Sequence, residues 1–163
     1  LFFLPLLGLS TATESIVGQN YGARQYQRVF ETYKKGIKIG VIVLSLLGLI
    51  IFLTADLAMN LFTDNANVKQ YGSDYLKISA LMFPAFPFFF IGNATFQGLK
   101  RAIIVMYMAI MRFVLMPLIV VSIIIYQIGE NYNLIFFSLA AMHWIIGLSY
   151  YYYCNKKYKT ILN

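Results

Sequence analysis

Residues 37–53 read IKIGVIVLSLLGLIIFL, with one charge, Lys38, near the start of the run. A transmembrane helix needs roughly 20 mostly apolar residues to cross a bilayer. This stretch meets that need as it stands. Four further segments of the same kind flank it, at residues 1–17, 78–99, 102–128 and 134–153. The chain has 163 residues, of which 60% are hydrophobic and 12% charged. Soluble domains hold about 45–50% apolar and about 25% charged residues. A domain of this size cannot hide that much apolar surface in its own core, so the lipid bilayer is its expected solvent. Backbone amides in hydrocarbon must be satisfied within their own segment, so helices are the default, and five short strands cannot close a barrel. The expected fold is all-α: a polytopic transmembrane helical bundle of about five spans, forming a single membrane domain over residues 1–163.

The connections between these segments leave no room for a soluble domain. Residues 18–35 are polar and basic, and residues 26–35 read as an amphipathic helical lead-in to the second span. Thr63 or Asp64 is placed to cap a short helix that runs into the third. The net charge of +7 does not point to nucleic acid, because the basic residues lie between apolar runs. Numbering the connections alternately puts Arg24, Arg28, Lys34, Lys35, Lys38, Lys100, Arg101, Lys156, Lys157 and Lys159 on one side. Lys69 and Lys77 fall on the other, beside Asp56, Asp64, Asp74 and Glu130. The positive-inside bias then predicts a multi-pass protein of the cell membrane with a cytoplasmic C-terminus. The chain begins at Leu1 with neither a basic flank nor a small-residue cleavage site, and reads as a fragment.

Pro84 and Pro87 in the third span and Pro117 in the fourth predict kinks, either static or used for bending. Gly8, Ser10, Ala12, Gly40 and Gly48 are small enough for close helix approach.

Besides Lys38 at the start of the second span, three ionisable residues fall inside the spans. Glu14 is placed either to bind a cation or exchange a proton, or to pair with Arg24 or Arg28 at the membrane edge. Arg112 would pair with a buried acid, or snorkel to the interface. His143 would relay protons, or pack with a hydrogen bond. The polar residues Gln19, Asn20, Asn93 and Gln97 complete the candidates for cation or substrate contact. One His and one Cys, Cys154, cannot make a zinc shell or an internal disulfide. No nucleotide loop or hydrolase elbow is present, so no catalytic residue, metal site or enzyme activity is expected. Phe83, Phe86, Phe88, Phe89 and Phe90, with Met106, Met108, Met111 and Phe113, read as lipid-facing or packing surface; an aromatic, Met-rich cavity for apolar cations is the functional alternative.

Residues 8–23, GLSTATESIVGQNYGA, resemble the span-and-loop signature of the multidrug and toxic compound extrusion (MATE) family, in which a helix rich in small residues ends in Val-Gly-Gln-Asn-x-Gly-Ala. The resemblance continues at residues 61–78, LFTDNANVKQYGSDYLKI, and at residues 96–101, FQGLKR. There Lys100 stands where the family often has a further Gly. Arg112 followed by Pro117 is similar to the family's Arg and Pro in the next helix, at a wider spacing.

The resemblance covers nearly the whole chain and fits the second lobe of a twelve-helix exporter best, as helices eight to twelve. It implies antiport of amphipathic or cationic small molecules against H⁺ or Na⁺ by alternating access, with no cofactor beyond the coupling ion. The partners implied are the lipid bilayer and an N-terminal lobe of the same protein, and no nucleic acid. Gly18, Gly22, Pro84, Pro87 and Pro117 are the flex candidates. Two other readings remain open: a lipid-linked oligosaccharide flippase of the same superfamily, and a membrane assembly subunit that transports nothing.

Overall fold

The computed structural model describes residues 3–127 and 132–162. Leu1 and Phe2 of the first expected span, Ile128 of the fourth, Glu130 and the Lys159 side chain lie outside the described residues. The rest is helical: α1 (Leu4–Gly22), α2 (Tyr26–Phe62), α3 (Ala66–Ala80), a 3₁₀ turn (Phe83–Ala85), α4 (Phe86–Gly98), α5 (Ala102–Ile110), a π turn (Met111–Leu115), α6 (Met116–Gln127) and α7 (Tyr132–Leu162). Among the described residues four stretches are long and apolar enough to cross a membrane: Tyr26–Phe62, Ala66–Gly98, Ala102–Ser122 and Leu134–Tyr158. The fifth helix, α1, has 19 residues and packs with them. The architecture is that of a multi-pass membrane protein.

Each boundary has a local cause. Pro5 sits in the first turn of α1, where its missing N–H is not needed. The Gly-Gln-Asn element does not form a loop: it is helical, and α1 runs through it to Gly22. There Arg24 turns left-handed at φ 57°. Its N–H reaches the Tyr21 carbonyl at 3.0 Å, and the Gln25 N–H reaches Asn20 at 2.8 Å. These two bonds make a Schellman cap. The basic lead-in and the second span form one continuous helix, α2, of 37 residues. At about 1.5 Å per residue it is about 55 Å long and overshoots a hydrocarbon core of about 30 Å.

The cap of α3 is Asn65, rather than Thr63 or Asp64. Its side chain accepts from the Asn67 and Val68 N–H groups at 3.0 and 3.3 Å, while Thr63 Oγ1 accepts from Asn65 N–H at 3.3 Å. The extended backbone at Asn65 (ψ 117°) aims its side-chain Oδ1 at those donors.

Pro84 and Pro87 break the third span between α3 and α4. Each lacks an N–H and so frees the carbonyl four residues earlier, those of Ala80 and Phe83. The Phe86 N–H takes the Phe83 carbonyl. Within the 3₁₀ turn the Ala85 N–H bonds to Met82 at 2.9 Å and leaves Leu81 behind. The indole Nε1 of Trp144, from α7, donates to that Leu81 carbonyl at 2.9 Å. A broken membrane helix needs such a substitute donor, since lipid offers none. Pro117 is handled differently. The wide π turn just before it lets the Met116 N–H bond five residues back to Met111, which gives the proline ring room.

Helices α1, α4 and α7 run one way, and α2 and α5–α6 run against them. Small residues set how close they come. A Cβ added at Gly40 would lie 2.8 Å from Pro87 Cβ, one at Gly48 2.8 Å from the Ala80 carbonyl oxygen, and one at Gly98 2.7 Å from the Glu14 carbonyl oxygen. Gly8, expected to serve the same purpose, faces open space. A buried aromatic core joins α2, α4 and α7. Tyr33 meets Tyr158 edge-on at 4.8 Å, Phe96 meets Tyr158 at 4.8 Å, and Cys154 is enclosed beside them. Leu46, Leu53, Leu57 and Ile103 point outward, as residues in contact with lipid would.

Candidate functional site

The π turn puts Arg112 against one face of α4. That face carries Phe86, Phe89, Phe90 and Asn93 at positions i, i+3, i+4 and i+7, so all four line one side of the helix. The Arg112 guanidinium carbon lies 4.2 Å from the centre of the Phe89 ring, 5.2 Å from Phe86 and 5.8 Å from Phe90. The Phe113 ring adds a fourth contact at 5.5 Å. Arg112 is 5% exposed. It neither snorkels to an interface nor meets a buried acid: among the described residues the ion pair is Lys77–Asp56, far along the bundle. Aromatic faces attract a cation through their quadrupoles. They offer no acceptor to the N–H groups in the guanidinium plane.

One turn beyond Phe89, Asn93 Oδ1 accepts the Tyr150 hydroxyl of α7 at 2.8 Å. The bond fixes the amide with its nitrogen as the remaining donor. The Phe89 and Tyr150 rings pack beside this bond, 5.7 Å between centres. Below them the Tyr158 hydroxyl donates to the Gly92 carbonyl at 3.1 Å. Gly92 allows this approach, because a Cβ there would lie 2.9 Å from the Tyr150 ring. His143 Nδ1 contacts the Leu139 carbonyl at 2.8 Å, and its ring meets Phe86 at 5.4 Å. It is therefore a hydrogen-bonded packing residue that shares the Phe86 ring with Arg112.

The other candidates do not join this cluster. Glu14 is half-buried on α1, with no ion pair to Arg24 or Arg28 among the described residues. Gln19 Nε2 donates to Ser15 Oγ at 3.4 Å and Asn20 Nδ2 to the Ile16 carbonyl at 2.7 Å, both within α1. Gln97 is exposed, and its backbone carbonyl serves the cap that ends α4. Gly18 lies near the Gly98 carbonyl, at 3.7 Å from an added Cβ, and Gly22 faces open space. Pro84 lines an apolar pocket of about 620 Å³ with Ser45, Gly48, Phe52, Leu81 and Trp144. Among the described residues no three His, Cys, Asp or Glu side chains converge to hold a metal.

The sequence leaves Phe86, Phe89 and Phe90 between lipid-facing or packing surface and an aromatic cavity for cations, and it does not identify Arg112 as the cation they surround. Their i, i+3, i+4 spacing was the available signal.

Solved structures share this arrangement of helices. The chain is similar to a multidrug resistance MATE family transporter of the MOP superfamily in its inward-facing conformation, with TM-score 0.91 and 20% identity over 98% of this chain and 37% of that one. The outward-facing conformation of a MATE family transporter of the same superfamily gives TM-score 0.90 and 21% identity over 98% and 36%. A MOP superfamily transporter from Pyrococcus furiosus, in which reverse polarity of the binding pocket suggests a different function, gives 0.92 and 20% over 100% and 37%. The chain thus spans a little over a third of the length of these transporters. No curated protein matches the sequence. The sequence itself matches MatE over residues 1–123, three quarters of its length, and on that match the chain belongs to the MatE family.

Proposed function

We propose that this chain is the C-terminal lobe of a secondary active exporter, which moves amphipathic or cationic small molecules out of the cell against H⁺ or Na⁺. The family match over residues 1–123 carries this reading. The lobe superposes equally well on inward-facing and outward-facing relatives, with TM-scores of 0.91 and 0.90. That equality supports a lobe that rocks as one body against a second lobe, with substrate between them. The tight Gly40–Pro87 and Gly98–Glu14 contacts supply the rigidity. Pro84, Pro87 and Pro117 are the points where the helices bend. The Arg24, Lys100 and Lys156 end is the cytoplasmic one by its charge.

The flippase reading stands second. It needs a cationic cavity, and the expected spans hold Arg112 and, at the start of the second, Lys38. The test is dye efflux by the full-length gene product in vesicles. Efflux driven by an imposed pH or Na⁺ gradient, and abolished when the gradient is collapsed, is expected. Efflux indifferent to both gradients overturns the reading.

A further inference from the structure

A charge enclosed in a protein is costly unless it is paired and hydrogen-bonded. Arg112 is 5% exposed, and its pairing is incomplete. Phenyl rings cover its faces, but among the described residues no carboxylate or carbonyl meets its N–H edge. Buried polar groups are nearly always satisfied, so an acceptor belongs there. The neighbouring polar group on the same face of α4 is also a donor: Tyr150 occupies Asn93 Oδ1 and leaves its amide nitrogen. Arg112 therefore offers donors alone, and Asn93 has its amide N–H groups free of any partner among the described residues. Beside them stands an apolar wall that is only partly covered, with Phe86 and Phe90 half-buried and Phe113 64% exposed.

We infer that Arg112 and Asn93 form an anion-holding subsite for an amphipathic ligand. Its carboxylate, sulfonate or phosphate head lies in the plane of the guanidinium, and its apolar body lies on Phe86, Phe90 and Phe113. A guanidinium suits such oxyanions because its parallel N–H groups match two oxygens at once. The inference rests on the transport reading and narrows it: amphiphiles with a negative head belong to the substrate range.

The experiment uses the full-length protein in phosphatidylcholine nanodiscs, with dodecyl phosphate as the anionic probe and tetraphenylphosphonium as the cationic one. Arg112→Gln is expected to weaken dodecyl phosphate at least tenfold and to leave tetraphenylphosphonium unchanged or tighter. Arg112→Lys, which keeps the charge but loses the two-toothed geometry, falls between, and Asn93→Leu weakens the anion a few-fold. Equal dodecyl phosphate binding by the protein and its Arg112→Gln and Arg112→Lys variants overturns the inference. So does a lowered thermal midpoint in Arg112→Gln with anion binding intact, because Arg112 then pairs with an acid elsewhere in the protein. Binding of tetraphenylphosphonium alone also overturns it while leaving transport standing. Arg112-dependent anion binding without gradient-driven transport keeps the subsite and removes the transport reading. Adding phosphatidylglycerol to the nanodiscs separates the two sources of such a ligand: competition identifies a membrane lipid, and its absence a free solute.

Discussion

Arg24 and Lys100 adopt the same left-handed backbone, φ 57° in each, at the ends of α1 and α4. The hydrogen bonds around them also correspond. Gln25 N–H reaches Asn20 and Arg101 N–H reaches Phe96, both at 2.8 Å. A side chain in this conformation costs roughly 1–2 kcal/mol relative to the right-handed region, and glycine escapes the penalty. Lys100→Gly should therefore stabilise the protein by about 1 kcal/mol, somewhat offset by the greater freedom of glycine in the unfolded chain. Lys100→Ala should give no such gain. The thermal midpoint of the purified protein distinguishes the two. Arg24→Gly should behave as Lys100→Gly does.

The glycine contacts predict a graded series. Gly98→Ala drives a methyl against the Glu14 carbonyl and the Val17 side chain, at 2.7 and 2.8 Å. Gly40→Ala meets the rigid Pro87 ring at 2.8 Å. Overpacking of this kind costs about 1–3 kcal/mol. Gly8→Ala, with nothing within 4 Å, should instead gain up to about 1 kcal/mol from helix propensity. A series in which Gly8→Ala and Gly98→Ala cost the same would refute the α1–α4 packing.

Trp144→Phe keeps the ring and removes the donor to the Leu81 carbonyl. Leu81 is 49% exposed on a surface that lipid would cover, and an acceptor left there without its donor costs about 1–3 kcal/mol because lipid offers no replacement. The loss should appear as a lower thermal midpoint. Pro84→Ala in the same background should recover part of it, because the restored N–H at residue 84 lets the helix close through the break.

The Lys77–Asp56 pair, 2.8 Å apart, should matter far less. Asp56 also accepts from Ser73, but its side chain is 68% exposed. Exposed pairs contribute little and are screened by salt. Lys77→Met should leave the thermal midpoint within error at physiological ionic strength, and adding salt should not widen the difference.

These cases show what could be read from the sequence. Hydropathy exposed the spans because the bilayer sets a fixed length of apolar chain, which residues 37–53 satisfy without help from any neighbour. Pro84 announced its break, since a missing N–H acts locally. The donor that repairs that break did not announce itself, because Trp144 is 63 residues from Leu81 in sequence. The α3 cap was placed one or two residues early: Thr63, Asp64 and Asn65 are all good capping types, and only the backbone angle at Asn65 selects among them. Glu14, Gln19 and Gln97 were chosen for polarity within apolar runs, and polarity alone does not say which residues meet. Arg112 was found, but its surroundings were not. They depend on a π turn that rotates it onto the α4 face, and the register of that turn is fixed by packing as much as by Pro117.

Gly98 on Glu14 has a consequence for the order of synthesis. Helix α1 leaves the ribosome well before α4, its partner in this contact, with residues 23–85 between them. At about 5–20 residues per second that interval is roughly 3–13 s. For that time the Glu14–Val17 side of α1 lacks its α4 neighbour, while Thr13 already meets Gly36 of α2. A chaperone or insertase that shelters a half-polar helix would act in that interval, and slowing translation between α2 and α4 would lengthen the exposure of α1 to quality control.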